Sequence, residues 1–191
     1  VRLTFGGTIE IPGKIVYIHP LHDLAVIHYD PRLIGNTPVK AAQLDTTALK
    51  PGQTVNVVGL DNDGDVRART TAIADVSPLE LPLSRTVRFR DSNIDVASLV
   101  NPPEDFVGVL SDNDGRVRGL WASFASDAGP ELDQQTRGIP SDLVAETLDL
   151  VRSGRPLHSL EAELLPQTLA SARQLGLSQQ WVQLISQADP T

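Results

Sequence analysis

The sequence predicts a mostly β protein, an antiparallel barrel or sandwich followed by a C-terminal helix. Three observations carry this. Roughly eight short runs of alternating or β-branched apolar residues recur about every 8–12 residues. Two Asp-Asn-Asp-Gly turns, beginning at Asp61 and Asp112, sit between such runs, and an Asp-Gly in that setting is a strong hairpin signal. Almost no helical periodicity occurs before residue 140, so strand–helix–strand units of a parallel sheet are poorly supported.

Taken in order, residues 1–5 alternate, Gly6-Gly7 turns the chain, and residues 8–11 alternate again as a hairpin that Pro12-Gly13 is expected to end. Residues 14–18 form a β-branched strand and residues 19–23, His-Pro-Leu-His-Asp, a loop. Residues 24–29 are a nearly continuous apolar run expected of a buried strand, ended by Asp30-Pro31. A turn over 48–52 leads into a strand over 54–58, and after the first Asp-Gly turn residues 65–75 return with alternating character. Residues 77–85, with two prolines, read as a connecting loop, 86–90 as one more strand, and Asn101-Pro102-Pro103-Glu104 as a rigid loop. The second hairpin covers 106–120.

A helix is expected over 142–152, because Leu143, Val144, Thr147, Leu148 and Val151 recur at three- and four-residue spacing. Ser141 is its expected N-cap, Gly154 closes it, and Pro156 follows. Beyond it, 160–164 read as a strand, and 168–175 and 179–187 as short helices, the first stopped by Gly176. The low charge and frequent Gln of this tail put a boundary near residue 156, dividing the chain into 1–156 and 157–191.

With 191 residues, 40% hydrophobic and 21% charged, the chain is expected to pack one domain, or one and part of another. A net charge of −8 with dispersed arginines argues against a nucleic-acid or anionic membrane partner. No apolar run approaches the roughly 20 residues of a membrane helix. The absence of cysteine excludes disulfides, thiolate catalysis and cysteine-ligated zinc, and leaves the compartment open. No cofactor is expected. There is no methionine, and Val1 opens directly on a strand-like pattern, so the chain reads as an internal stretch of a longer protein with any targeting signal upstream.

Three motifs resemble the HtrA branch of the trypsin-like proteases. His22-Asp23-Leu24-Ala25-Val26-Ile27 is similar to that branch's Asp-Ile/Leu-Ala-Val-Leu strand, which puts Asp23 on the catalytic aspartate position. The hairpin over 106–120 matches the one that carries Gly-Asn-Ser-Gly-Gly-Pro-Leu, with Gly108-Val109-Leu110 in its first arm and Val117-Arg118-Gly119-Leu120 as its return. Arg137-Gly138-Ile139-Pro140-Ser141-Asp142-Leu143-Val144 is close to the Phe-Ala-Ile-Pro-Ser-x-x-Val signature of the closing helix. More narrowly, Tyr17 to His22 and Tyr29 to Gly35 match segments of the second, degenerate protease-like repeat in the tandem HtrA proteins of fungi and plants. Leu160 to Leu177 resembles the start of a PDZ domain. The resemblance implies a trypsin-like antiparallel β-barrel with a C-terminal helix, then a partial PDZ-like α/β segment. It also implies homo-oligomeric assembly, contact with other domains of the same chain, and peptide or unfolded-protein ligands for the parent.

The same resemblance puts Phe106 where the nucleophilic serine belongs, Asp105 on the preceding asparagine, and Val107 and Gly108 on the following glycines. A serine triad needs a hydroxyl, an imidazole to deprotonate it, and N–H donors for the oxyanion. A phenyl ring has neither lone pair nor transferable proton. Glu104 and Asp105 would repel the developing oxyanion, and Val107 resists the backbone that a glycine allows. The family's histidine would precede Val1. The expected function is therefore a non-catalytic protease-like domain of a larger HtrA-type endopeptidase. The alternatives are an active endopeptidase completed by upstream sequence and a peptide-binding module. Ser98 and Ser111 read as strand-end and turn hydroxyls, and His19, His22 and His28 as loop and surface histidines rather than zinc ligands. The Asp-Asn-Asp-Gly turns fail as calcium loops, since the sixth and twelfth positions from Asp61 hold Val66 and Ala72. Trp121 and Trp181 read as core or interface anchors.

Overall fold

A computed structural model describes residues 1–22, 24–81, 93–126, 133–158, 160, 162 and 164–188. Its strands divide between an open sheet and a closed barrel. Strands β1 (Arg2–Phe5), β2 (Ile9–Ile18) and β3 (Ala25–Tyr29) form a three-stranded antiparallel sheet in that order. β4 (Thr54–Leu60), β5 (Val66–Pro78), β6 (Asp95–Leu99), β7 (Val107–Ser111), β8 (Val117–Ser126) and β9 (Asp133–Pro140) close a barrel in the order β4-β5-β6-β9-β8-β7. Helix α1 (Ser141–Ser153) follows. The chain divides into two compact units, Val1–Leu160 and Glu161–Thr191; the second holds helices α2 (Leu169–Gln174) and α3 (Gln179–Ala188).

The two Asp-Gly turns join β4 to β5 and β7 to β8 in the same way. In each, the first aspartate's Oδ1 accepts two backbone N–H groups: those of Asp63 and Asp65 at Asp61, and those of Asp114 and Arg116 at Asp112. Gly64 and Gly115 take the positive φ, 84° and 77°, that the turns need.

The barrel wall is buried on both sides along part of its circumference. Val55, Val57, Ile73, Ala97, Leu99, Leu110 and Trp121 fill the inside together with Leu49 and Phe106. On the other side of β6, β8 and β9, Val96, Phe124 and Ile139 form a second cluster with Leu79 and Ile94, against which Leu143 of α1 and Leu24 pack. This second layer seats the closing helix, and through Leu24 it joins the end of the β2–β3 loop to the barrel.

Several expectations need correction. Pro12-Gly13 does not end the first hairpin: β2 runs through it, pairing with β1 up to Pro12 and with β3 from Gly13. Gly13 sits where the two partners meet, and a Cβ there would lie 2.7 Å from Ile27 Cγ2. β3 is half exposed rather than buried, because among the described residues only β2 pairs with it. β5 extends through Ser77 and Pro78, which the prolines had suggested were loop. β6 and β9 were not foreseen. Burial on both faces blurs the two-residue period of β6, and the polar Asp-Gln-Gln-Thr-Arg run of β9 becomes strand through its ladder to β8. Ser141 is not a cap. Pro140 holds that position, and the Ser141 hydroxyl donates instead to the carbonyl of Asp45. Gly154 caps α1 in the left-handed region, as expected. Leu160, Ala162 and Leu164 form no strand, and the expected strand over 86–90 lies outside the described residues.

Candidate functional site at the second hairpin

Phe106 stands immediately before β7 and turns its ring into the barrel, leaving 8% of the residue exposed among Val57, Leu110 and Trp121. Val107 begins the strand proper, opposite Leu60 of β4, and Gly108 stands opposite Gly59. The facing glycines let β4 and β7 approach closely. A Cβ on Gly59 would fall 2.0 Å from the Val107 carbonyl oxygen and 3.0 Å from Phe106 Cδ2, and one on Gly108 would fall 2.1 Å from the Val58 carbonyl. Glu104 and Asp105 are exposed on the approach to the strand. Among the described residues, Asn93 is the only non-glycine with positive φ, so residues 104–107 keep ordinary backbone geometry. Where the motif comparison puts a nucleophile, the molecule has a packed aromatic ring at the entry to a regular strand.

The remaining hydroxyl candidates lie in structural roles. The Ser111 hydroxyl donates to the Asn56 carbonyl at 3.3 Å, and Ser98 sits within β6 opposite Asp75. Trp121 is a core residue, whereas Trp181 on α3 is 58% exposed. Asp61 receives the Arg67 Nε–H at 2.6 Å, and this bond holds its carboxyl below the usual range. Both Asp-Gly turns are occupied by their own backbone and side-chain bonds. Among the described residues no three His, Asp or Glu side chains converge as a metal site would require. Asp23 lies outside the described residues.

Two of the three candidate histidines, His19 and His22, depart from expectation. His28 is exposed on β3 opposite Lys14. His19 and His22 are not surface residues: they are 3% and 7% exposed, with rings stacked at 4.6 Å and 22°. His19 Nδ1 accepts the backbone N–H groups of Leu21 at 3.2 Å and His22 at 3.1 Å. Burial pushes both imidazoles below the ordinary 6.5; at His19 the neighbouring His22 adds to this and Glu146 of α1 opposes it. Pro20 between the two histidines was the sequence signal for a tight turn that brings their rings together.

A second buried polar anchor also escaped sequence reading. Arg118, 7% exposed, donates from Nη1 to Asp45 Oδ2 at 3.1 Å and from Nη2 to the Thr47 carbonyl at 2.8 Å. Backbone bonds between Val117 and Gln43 and Asp45 hold the same segment against β8.

A closed six-stranded antiparallel barrel with Asp-Gly hairpins and a helix after its last strand defines the trypsin-like protease class of fold. Solved structures share it: an HtrA-type protease, AlgW, bound to a decapeptide (TM-score 0.56, 20% identity, 89% of this chain and 50% of that one). A protease of M. tuberculosis in its active form does so too (TM-score 0.57, 18% identity, 82% and 65%). At such identities the likeness speaks for the fold alone. No protein-family model matches the chain. Curated relatives match it almost end to end. Protease Do-like 7 of Arabidopsis thaliana is 31% identical over 217 residues, all of this chain and 20% of that protein. A PDZ domain-containing protein of Schizosaccharomyces pombe is 33% identical over 184 residues, 93% of this chain and 18% of that protein. The pro-apoptotic serine protease nma111 of Aspergillus terreus is 27% identical over 199 residues, all of this chain and 19% of that protein. These relatives support an HtrA-type trypsin-like protease family for the chain, which spans about a fifth of their length.

Proposed function

We propose that this chain is a non-catalytic protease-like domain of a larger HtrA-type serine endopeptidase. It corresponds to the second, degenerate repeat of a tandem protein, and the chemistry belongs to another repeat. The observation that carries the reading is Phe106, which the motif resemblance puts at the nucleophile's place and whose ring packs in the barrel core while Val107 pairs with β4. A serine there would have to leave the core to meet a substrate, and the exposed Glu104 and Asp105 beside it would disfavour an oxyanion. Residues 1–156 form this domain in our reading, and 157–191 begin a PDZ-like domain. The left-handed cap at Gly154, with Pro156 after it, supports the boundary, as does a relative named for its PDZ domain. The domain's work is assembly: holding subunits of a homo-oligomer, positioning the PDZ part, or regulating the active repeat on peptide and unfolded-protein substrates in protein quality control.

A fluorophosphonate serine probe tests this directly. The chain should stay unlabelled under conditions that label trypsin fully. Stoichiometric labelling, mapped to any serine, would overturn the reading and favour the active endopeptidase.

A further inference from the structure

The loop between β2 and β3 is closed at both ends by its own backbone: His19 N–H donates to the Leu24 carbonyl at 2.8 Å, and Leu24 N–H to the His22 carbonyl at 2.7 Å. Inside it, the ring of His19 acts as a template. Its Nδ1 accepts two converging N–H groups, from Leu21 and His22, so the ring must be neutral with its proton on Nε2. We propose that His19 is a proton-operated latch: neutral, it holds this loop shut, and on protonation it opens the loop and loosens the β1–β3 sheet from the barrel.

The chemistry follows from the acceptor. Protonated imidazole carries N–H on both nitrogens, so Nδ1 would turn from acceptor to donor while facing two other donors. Both bonds would be lost, and a positive charge would stand in a site 3% exposed. Among the described residues, which do not include Asp23 of the same loop, the groups facing it give that charge little compensation. His22 of the same loop stacks on the ring, its own Nδ1 buried without a partner among the described residues, so a second proton there would repel the first. Tyr17 of β2 meets His19 edge-on at 6.1 Å, and its buried hydroxyl has no hydrogen-bond partner among the described residues. Among the described residues, the carboxylate whose charge reaches His19 is Glu146 of α1, which is exposed; its pull upward is weaker than the effects of burial and His22. Leu24, which closes the loop, packs on the second cluster, as does Leu143 of α1. Opening the loop frees that contact, one hold of the sheet on the barrel.

Amide hydrogen exchange on the whole 191-residue chain, expressed as protection factors between pH 8 and pH 5, tests the latch. Protection at Leu21 and His22 should fall below pH 6.5, by up to about tenfold per pH unit for a single linked proton, while Val57 and Leu110 in the barrel hold theirs. His19→Asn keeps an acceptor near the place of Nδ1 but cannot titrate, and it should flatten the dependence. Protection that ignores pH in the wild type, or an equal fall in His19→Asn, would overturn the proposal. The wild type offers a second reading that needs no variant. Nitrogen NMR of the His19 ring should show the Nε2–H tautomer, with a midpoint below 6.5, at the lower end of the pH range over which protection falls. The other tautomer, or a midpoint at or above 6.5, would overturn it as well.

Discussion

Phe106 shows how one side chain carries both packing and functional meaning. Its ring fills the barrel beside Val57, Leu110 and Trp121, so truncation leaves a hole that close-packed strands cannot collapse to fill. Phe106→Ala should cost about 3–4 kcal/mol, read as a lower urea midpoint with unchanged slope. Phe106→Ser tests the chemistry too: it should lose comparable stability and still take no fluorophosphonate, because a serine alone restores neither base nor oxyanion donors. The position was visible in the sequence because a motif points to it. That the ring faces the core rather than solvent was not, since the residue lies just outside the alternating strand. The histidines illustrate the converse. Their spacing around Pro20 was legible, but their burial depends on packing from other parts of the chain.

At the scale of elements, α1 is held by a bond that local rules do not foresee. Ser141, read as a cap, spends its hydroxyl on the Asp45 carbonyl 96 residues away in sequence, pinning the helix start to the segment that Arg118 also grips. Ser141→Ala should cost about 1 kcal/mol through the unsatisfied carbonyl, without the larger loss of intrinsic helix content expected from removing a cap. Thermal melts of the chain, compared with circular dichroism of a peptide over 141–153, separate the two outcomes. The hairpins needed no such help. An Asx-anchored turn with glycine at its positive-φ position is a local device, so both Asp-Gly turns stood in the sequence, although the register shift between Leu110 and Ser111 in the second hairpin did not. β6 and β9 did not, because neighbouring strands define them.

For the whole molecule, the titrating groups set two windows of acid sensitivity. His19 and His22 have folded values below 6.5, so the unfolded chain binds protons first as pH falls; stability is full above 6.5 and declines as the pH drops through the folded values. Asp30, Asp45 and Asp61 have folded values below 3.8, held down chiefly by hydrogen bonds from Arg32, Thr47 and Arg67 respectively. Their contribution is present above 3.8 and is lost only in stronger acid. Urea midpoints should therefore fall in two steps, one below pH 6.5 and one below 3.8. The first step should shrink in a His19→Asn, His22→Asn double variant while the second remains.

The sequence by itself determined the class of fold, the two hairpins, the closing helix with its glycine cap and the phenylalanine, rather than a hydroxyl, at position 106. These rest on period, turn chemistry and residue identity, all of which act within a few neighbours. Tertiary structure alone decided the closure of the barrel through β6 and β9, the run of β2 through Pro12-Gly13, the Arg118 anchor and the burial of His19 against His22. Each of those depends on which distant strand or helix removes water from the residue, and that is set by long-range pairing and packing rather than by local pattern.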